Sequence, residues 1–195
     1  MGSLPNILTM FRIAVIPLLV ALFYVGGPTG MGLACAVFVL AGLTDYLDGA
    51  IARARSQHSA FGRVLDPIAD KLLVSSALLM LAGFNQLDGY EMIPAVVILC
   101  REIVVSGLRE FLAELNGPLP VTQLAKWKTT IQIVAIAFLI AGDATPSPWH
   151  AHLIGQVGLW IAAGLTLITG WDYARAAIGP IRTADAPAAR ARTNP

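Results

Sequence analysis

The chain has 195 residues, enough for a single domain, and carries a formal net charge of +1. Of these residues 56% are hydrophobic and 13% are charged, whereas about 25% of the residues of a soluble domain are charged. Together with a mean hydropathy of +0.71, this composition excludes an ordinary soluble domain and predicts an all-α integral membrane protein. The basic residues are spread along the chain, so we expect no nucleic-acid partner.

Six apolar segments, separated by short links that contain glycine or proline, predict six transmembrane helices. The fifth segment is short, but counted from Lys126 it approaches the ~20 residues that cross a bilayer core. We expect residues 1–178 to form the transmembrane domain and residues 179–195 to form a flexible cytosolic tail. In chain order, the apolar segments are 7–25, 31–50, 65–84, 92–108, 129–141 and 153–171.

The distribution of lysine and arginine predicts the orientation of these helices. If both termini are cytosolic, the outer loops are residues 26–30, 85–91 and 142–152, and none of them contains Lys or Arg. All 13 basic residues then lie at or near the cytosolic ends of the helices, as the positive-inside rule requires. We therefore expect a multi-pass protein of the bacterial cytoplasmic membrane with a cavity that opens to the cytosol.

Two pairs of aspartates lie at the predicted cytosolic ends of the second and third helices. Asp45 and Asp48 are three residues apart, and Asp66 and Asp70 are four apart, so each pair shares a helix face. Four carboxylates at one depth repel each other unless a cation neutralises them. Oxygen ligands favour Mg²⁺ or Mn²⁺, and two such ions would suit phosphoryl transfer. The alternative is a solvated rim in which the aspartates pair with nearby basic residues.

The same segment resembles the signature of the CDP-alcohol phosphotransferases. Residues 45–70 read D-x2-D-G-x2-A-R-x8-G-x3-D-x3-D, with every fixed position and spacing of that signature present. Looser motifs, all but one of them outside it, resemble the phosphatidylglycerophosphate synthase branch of the family. These motifs are Asn6-x-Leu8-Thr9-x-x-Arg12, Asp66-Pro-x-Ala-Asp70-Lys71, Arg101-Glu102, Leu108-Arg109-Glu110 and Lys126-x-Lys128-Thr129.

The resemblance implies a transfer of the phosphatidyl group from CDP-diacylglycerol to sn-glycerol 3-phosphate, with release of CMP. It further implies two divalent ions, Mg²⁺ or Mn²⁺: Asp45, Asp48 and Asp66 bind one, and Asp45, Asp66 and Asp70 bind the other. Asp70 is also the implied catalytic base. The implied contacts to the CDP-lipid are Gly49, Ala52, Arg53, Gly62, Asn6 and Thr9. We expect the enzyme to be a homodimer.

Basic residues of the fourth and fifth segments are candidate ligands of the acceptor phosphate, because a phosphate dianion needs two or three cations. They are Arg101, Arg109, Lys126 and Lys128. Lipid-headgroup anchoring is the alternative for Arg109 and the two lysines. For Arg101 the alternative is an internal ion pair with Glu102 or Glu110.

Two other functions remain open. A CDP-dependent cardiolipin synthase would use the same chemistry with a lipid as the acceptor. A divalent-cation transporter would also place carboxylates inside the membrane, but it needs polar residues along the whole path. Residues 31–43 and 74–84, the outer halves of the second and third segments, carry no charge. This favours a pocket that opens on one side, and hence an enzyme.

Overall fold

The computed structural model describes residues 4–55, 60–114, 123–145 and 149–192. Only the backbone is described for residues 4–8, 45–55, 60–64, 66–67, 114, 123, 125, 143 and 181–192. This part of the chain contains six α-helices and no strand, which confirms the predicted all-α class. The helices are α1 (Leu4–Val25), α2 (Gly27–Arg55), α3 (Ala60–Gly83), α4 (Met92–Glu114), α5 (Gln123–Ala141) and α6 (Ala151–Arg192).

The tight connection between α1 and α2 depends on two consecutive glycines. Gly26 and Gly27 have φ angles of 64° and 61°, in the left-handed region where a side chain is disfavoured. Pro28 follows at the start of α2, where its missing N–H leaves no intrahelical hydrogen bond unmade. Short 3-10 turns precede α4 at Gly89–Glu91 and follow α5 at Gly142–Ala144. These local signals explain why the helix boundaries lie close to the predicted links.

Two helices of the described chain are long and apolar enough to cross a membrane. The qualifying stretches are Gly27–Thr44 in α2 and Ala151–Pro180 in α6, and α1 contributes a shorter apolar stretch, Thr9–Val25. The sixth helix is much longer than its predicted span of 153–171, since it continues to Arg192. Residues 179–192 are thus helical where irregular backbone is expected. The alanines of this segment favour a helix and outweigh the break that Gly179 and Pro180 predict.

The helices form one bundle in which α6 packs against α5 and α4, and α1 packs against α2 and α3. Aliphatic and aromatic side chains such as Phe23, Phe38, Leu81 and Ile136 fill the core between them. Glycines bring α5 and α6 close together: a Cβ atom built on Gly155 would lie 2.7 Å from Leu139 Cγ. A Cβ atom built on Gly158 would lie 2.9 Å from Ala135 Cβ. Small residues in such positions allow two helix backbones to approach closely.

Candidate active site

A cavity of about 500 Å³ lies between α3, α4 and α5 and is closed on one side by Tyr173 of α6. Its lining combines apolar side chains with acidic, basic and neutral polar ones. Three residues predicted from the sequence to bind the acceptor phosphate line it together with the predicted base Asp70. The charged and polar lining residues among those described are Asp70, Lys71, Ser75, Arg101, Glu102, Ser106, Arg109, Glu110, Lys128, Thr129, Gln132 and Tyr173.

The carboxylate of Asp70 forms an ion pair with a residue of the first helix, α1. Arg12 of α1 is fully buried, and its Nη1 atom donates a hydrogen bond to Oδ1 of Asp70 in an ion pair. Thr9 lies one turn earlier on α1 and is also buried. Because the Asp70 side chain stays 44% exposed, it can face the cavity while Arg12 fixes its orientation.

Glu102 connects two of the predicted phosphate ligands. The Nζ atom of Lys128 forms an ion pair with Oε1 of Glu102, and Nη1 of Arg101 lies 3.6 Å from the same oxygen. The internal ion pair considered for Arg101 is therefore present, yet both cations still line the cavity. One carboxylate thus holds an arginine of α4 and a lysine of α5 side by side, as a binding site for an anion requires.

The position of Arg101 also depends on α6. Its Nη2 atom donates a hydrogen bond of 2.7 Å to Oγ1 of Thr169. Next to this contact, a Cβ atom on Gly170 would lie 3.2 Å from Cγ and 3.3 Å from Nε of Arg101. Such distances are tighter than most side-chain contacts, so Gly170 leaves room for Arg101 to lie along the helix.

Arg109 lies on α4 about two turns after Arg101. Its guanidinium carbon lies 5.9 Å from the centroid of the Tyr173 ring, within the range of a cation–π contact. The residue is nevertheless exposed, so its hydrogen-bond donors can reach a ligand. A planar guanidinium offers two parallel donors to a phosphate, which suits Arg109 to anion binding.

The charge balance of the cavity is close to neutral. Four cations, Lys71, Arg101, Arg109 and Lys128, face three carboxylates, Asp70, Glu102 and Glu110. Glu102 holds Arg101 and Lys128 in place, and one formal positive charge remains among these lining residues. A phosphate group would find cations that are already oriented, so less side-chain entropy would be lost on binding.

The structure leaves part of the predicted site outside the described side chains. The backbone places Asp45 and Asp48 within about three turns of the end of α2, and Asp66 and Asp70 within about three turns of the start of α3. No cluster of three or more metal-binding side chains occurs among the described residues, which include Asp70 alone of the four aspartates. Predicted site residues whose side chains lie outside the described set are Asp45, Asp48, Asp66, Gly49, Ala52, Arg53, Gly62 and Asn6.

Lys126 differs from the other predicted phosphate ligands. It is exposed in the first turns of α5, and the described cavity lining does not include it. Conversely, the lining contains residues to which the sequence prediction gives no role, among them Ser75 and Gln132. Gln132 follows Lys128 by one helical turn, and a polar residue there inside an apolar segment is the signal that could have identified it.

Arg12 is another residue that the site prediction does not include. The sequence shows it in a motif with Thr9 and inside an apolar segment, where an arginine needs a polar partner. That the partner is Asp70 depends on how α1 packs against α3, which the spacing of residues does not define. An arginine inside the first apolar segment therefore indicates a functional residue, but it does not predict that the residue pairs with Asp70.

Comparison with known proteins identifies relatives along most of the chain. The model of a family described as CDP-alcohol phosphatidyltransferase matches residues 2–168. A protein of Rickettsia bellii named CDP-diacylglycerol–glycerol-3-phosphate 3-phosphatidyltransferase is 46% identical over 89% of this chain and 94% of its own length. A protein of Cereibacter sphaeroides with the same name is 40% identical over 90% of this chain and 96% of its own length.

The fold also has a counterpart among solved structures. The phosphatidylinositol phosphate synthase of Mycobacterium tuberculosis in its apo form has a TM-score of 0.65 and 21% sequence identity. The similarity covers 90% of this chain and 89% of that one. A complex of the same synthase with manganese and citrate has a TM-score of 0.63 at 20% identity, covering 90% of this chain and 83% of that one.

Proposed function

Because the chain belongs to the CDP-alcohol phosphatidyltransferase family, we propose that it transfers a phosphatidyl group from CDP-diacylglycerol to sn-glycerol 3-phosphate. The products are phosphatidylglycerophosphate and CMP, and the reaction is a step of phospholipid biosynthesis. The names of relatives that are 40% to 46% identical over most of the chain support this acceptor.

The observation that carries the proposal is the cavity that brings Asp70 together with Arg101, Arg109 and Lys128. A phosphorylated alcohol needs cations for its phosphate and a base near its hydroxyl, and this cavity offers both. Lys126 is exposed two residues before Lys128 and would act at the entrance. The same arrangement is not needed for lipid-headgroup anchoring, which requires cations at the membrane surface but no cavity.

The four carboxylates of the signature fit two divalent ions. Asp45, Asp48 and Asp66 would hold one ion, and Asp45, Asp66 and Asp70 the other, as hard oxygen ligands suited to Mg²⁺ or Mn²⁺. When bound, such ions neutralise charge on the phosphates and on the leaving group. The described carboxylate, Asp70, lies at the cavity wall with its side chain partly exposed, so it is accessible to a ligand.

We assign the nucleotide half of the substrate to the segment between the aspartate pairs. The arginine, Arg53, would bind a phosphate in bidentate fashion, and the small residues would let the cytidine diphosphate approach the helix. Thr9 is buried on α1, one turn before Arg12, the residue that pairs with Asp70 of α3. The proposed CDP-lipid contacts are Gly49, Ala52, Arg53, Gly62, Asn6 and Thr9.

The proposed chemical step is a direct displacement. The acceptor hydroxyl attacks the β-phosphorus, Asp70 takes its proton, and the bond from phosphorus to the oxygen of CMP breaks. Arg12 would act as a positioning residue that keeps the carboxylate of Asp70 aimed into the cavity. Inversion at a chiral phosphorus is the expected result, and retention would indicate a covalent intermediate instead.

We further propose that all six helices cross the bacterial cytoplasmic membrane, with both termini and the cavity on the cytosolic side. Large apolar side chains such as Leu79, Ile103 and Val104 are between 66% and 70% exposed, which suits a surface in contact with lipid. Two such bundles would associate as a homodimer. Thiol labelling from outside intact cells tests the topology: a cysteine placed at position 28 or 88 should react, and one at 188 should not.

The decisive experiment measures CMP release by the purified protein from CDP-diacylglycerol with a panel of alcohols. Turnover with glycerol 3-phosphate that requires added Mg²⁺ or Mn²⁺ supports the proposal. Turnover with phosphatidylglycerol instead would establish the CDP-dependent cardiolipin synthase, and release with inositol phosphate would assign another acceptor. Metal flux into vesicles without any CMP release would indicate a cation transporter.

A further inference from the structure

Gln132 is a buried polar residue of the cavity wall that the proposed mechanism does not use. It lies on α5 one turn after Lys128, and both side chains line the cavity. Gln132 is 3% exposed and Lys128 is 4% exposed. Among the residues that the structure describes, the Oε1 atom of Gln132 has no hydrogen-bond partner.

Such an atom is unusual, because buried polar groups of native proteins nearly always have a hydrogen-bond partner. Gln132 lines the cavity, so a rotation of its carboxamide about the last side-chain torsion would let a ligand donate a hydrogen bond to this oxygen. The neighbouring cations differ in this respect, since Arg101 and Lys128 only donate hydrogen bonds. They can hold the phosphate of a ligand, but they cannot accept a hydrogen bond from its hydroxyl groups.

Two of the three carboxylates of the cavity already have partners, and the third, Glu110, is exposed and accepts a hydrogen bond from Ser106. Glu102 accepts from Lys128 and lies near Arg101, while Asp70 accepts from Arg12 and is needed for the hydroxyl that reacts. A second hydroxyl of an acceptor alcohol bound by Arg101 and Lys128 needs an oxygen that can accept a hydrogen bond near these cations. The Gln132 carboxamide, one helical turn from Lys128, is in the right place to supply it.

We propose that Gln132 binds the hydroxyl group of the acceptor that does not react, and so determines which phosphorylated alcohols the enzyme accepts. This inference rests on the proposed function, because Gln132 would bind a hydroxyl of the acceptor alcohol in the same cavity. Glycerol 3-phosphate has two hydroxyls: the terminal one forms the new phosphate ester, and the middle one donates a hydrogen bond to Gln132 Oε1.

The experiment compares two acceptors that differ by one hydroxyl group. They are glycerol 3-phosphate and 3-hydroxypropyl phosphate, which keeps the phosphate and the terminal hydroxyl but lacks the middle one. The full-length enzyme should have a kcat/KM about 10-fold lower for the second compound, because the buried Gln132 oxygen then stays unpaired. Gln132→Met keeps the length of the side chain and removes its polar group.

In Gln132→Met, kcat/KM for glycerol 3-phosphate should fall about 10-fold, while kcat/KM for 3-hydroxypropyl phosphate should stay within about 2-fold. The variant would thus lose the preference for the middle hydroxyl. Gln156→Met is the matched control, since Gln156 lies on α6 and hydrogen-bonds to Glu91 outside the cavity. Its preference between the two acceptors should equal that of the unmodified enzyme.

A second variant keeps the test valid if Gln132→Met does not fold. Gln132→Glu retains an acceptor oxygen at the same distance, so the preference for the middle hydroxyl should remain even where KM rises through repulsion of the phosphate. Equal losses with both acceptors in either variant would overturn the inference and leave the proposed function standing. If the unmodified enzyme used neither acceptor, the proposed function would fall and the inference with it.

Discussion

The contact between α5 and α6 is built differently at its two ends. Toward the end of α5, glycines of α6 receive side chains of α5: Gly155 contacts Leu139, and Gly158 contacts Ala135. Toward its start, α5 contributes Lys128 to the cavity wall instead. The glycine of α6 nearest the cavity, Gly170, makes room for Arg101 of α4.

The same residue type therefore has two physical roles along one helix. Gly155 and Gly158 allow close packing, so their replacement should affect the stability of the bundle. Gly170 gives space to a charged side chain of the cavity, so its replacement should affect ligand binding. Substitutions at these positions can test the two roles when both stability and activity are measured. Substitutions of cavity residues should change the kinetic constants more than the melting temperature.

The largest effect is expected for Asp70→Asn. Loss of the proposed base should lower kcat by about 10²- to 10⁴-fold, measured as CMP release at saturating Mg²⁺. Asp88→Asn is a suitable control, because Asp88 precedes the 3-10 turn before α4 and makes no side-chain capping bond. If Asp70→Asn kept near-normal turnover, neither the base nor the shared metal site could be assigned to this residue.

Arg109→Ala should separate acceptor binding from headgroup anchoring. A charge-assisted hydrogen bond contributes roughly 1.5–3 kcal/mol, so KM for glycerol 3-phosphate should rise by about 10- to 150-fold. The KM for CDP-diacylglycerol should change much less, whereas Arg53→Ala should show the opposite pattern. Equal changes in both KM values for Arg109→Ala would contradict an acceptor site and support anchoring.

Gly155→Ala tests the packed end of the contact. The new methyl group would lie 2.7 Å from Leu139 Cγ and 2.9 Å from the Leu139 backbone nitrogen. Overpacking of this kind costs about 1–3 kcal/mol, which should lower the melting temperature in detergent. Gly164→Ala on the same helix is the control, because no atom lies within 4 Å of its added Cβ. An unchanged melting temperature for Gly155→Ala would show that the helices can separate without cost.

Gly170→Ala should give the smallest change in activity, and it tests directly whether this glycine serves ligand binding or helix packing. The methyl group would displace the Arg101 side chain by a few tenths of an ångström, since Cγ and Nε lie 3.2 and 3.3 Å away. We expect KM for glycerol 3-phosphate to rise by about 3- to 10-fold, the size of one weakened hydrogen bond. The melting temperature should stay close to that of Gly164→Ala; a large drop without a KM change would make Gly170 a packing residue instead.

The sequence predicts the helical class because hydrophobic periodicity and glycine or proline links are local features. It does not predict the end of α6, where Gly179 and Pro180 indicate a break and the following alanines favour a helix. The two signals oppose each other within a few residues. A local sequence pattern does not show how the long helix packs against its neighbours, so it cannot decide between the two signals.

For the cavity, the sequence identifies residue types but not their pairings. Charge and depth predict Arg101, Arg109 and Lys128 as anion ligands, and all three line the same cavity as Asp70. Lys128 pairs with Glu102 because of the rotation of α5 relative to α4. Arg12 pairs with Asp70 because of the way α1 packs against α3. Such rotations result from the packing of the entire bundle.

The 42 residues of α6 give the helix a length of about 63 Å at 1.5 Å per residue. A bilayer core is only ~30 Å thick, so if α6 crosses the membrane as proposed, about half of the helix extends past it. With the proposed orientation, this half projects from the inner leaflet and carries the arginines at positions 175, 182, 190 and 192. Anionic headgroups attract each basic residue near the surface by about 1 kcal/mol. The enzyme would then be retained most strongly in membranes already rich in the acidic lipids that derive from its own product.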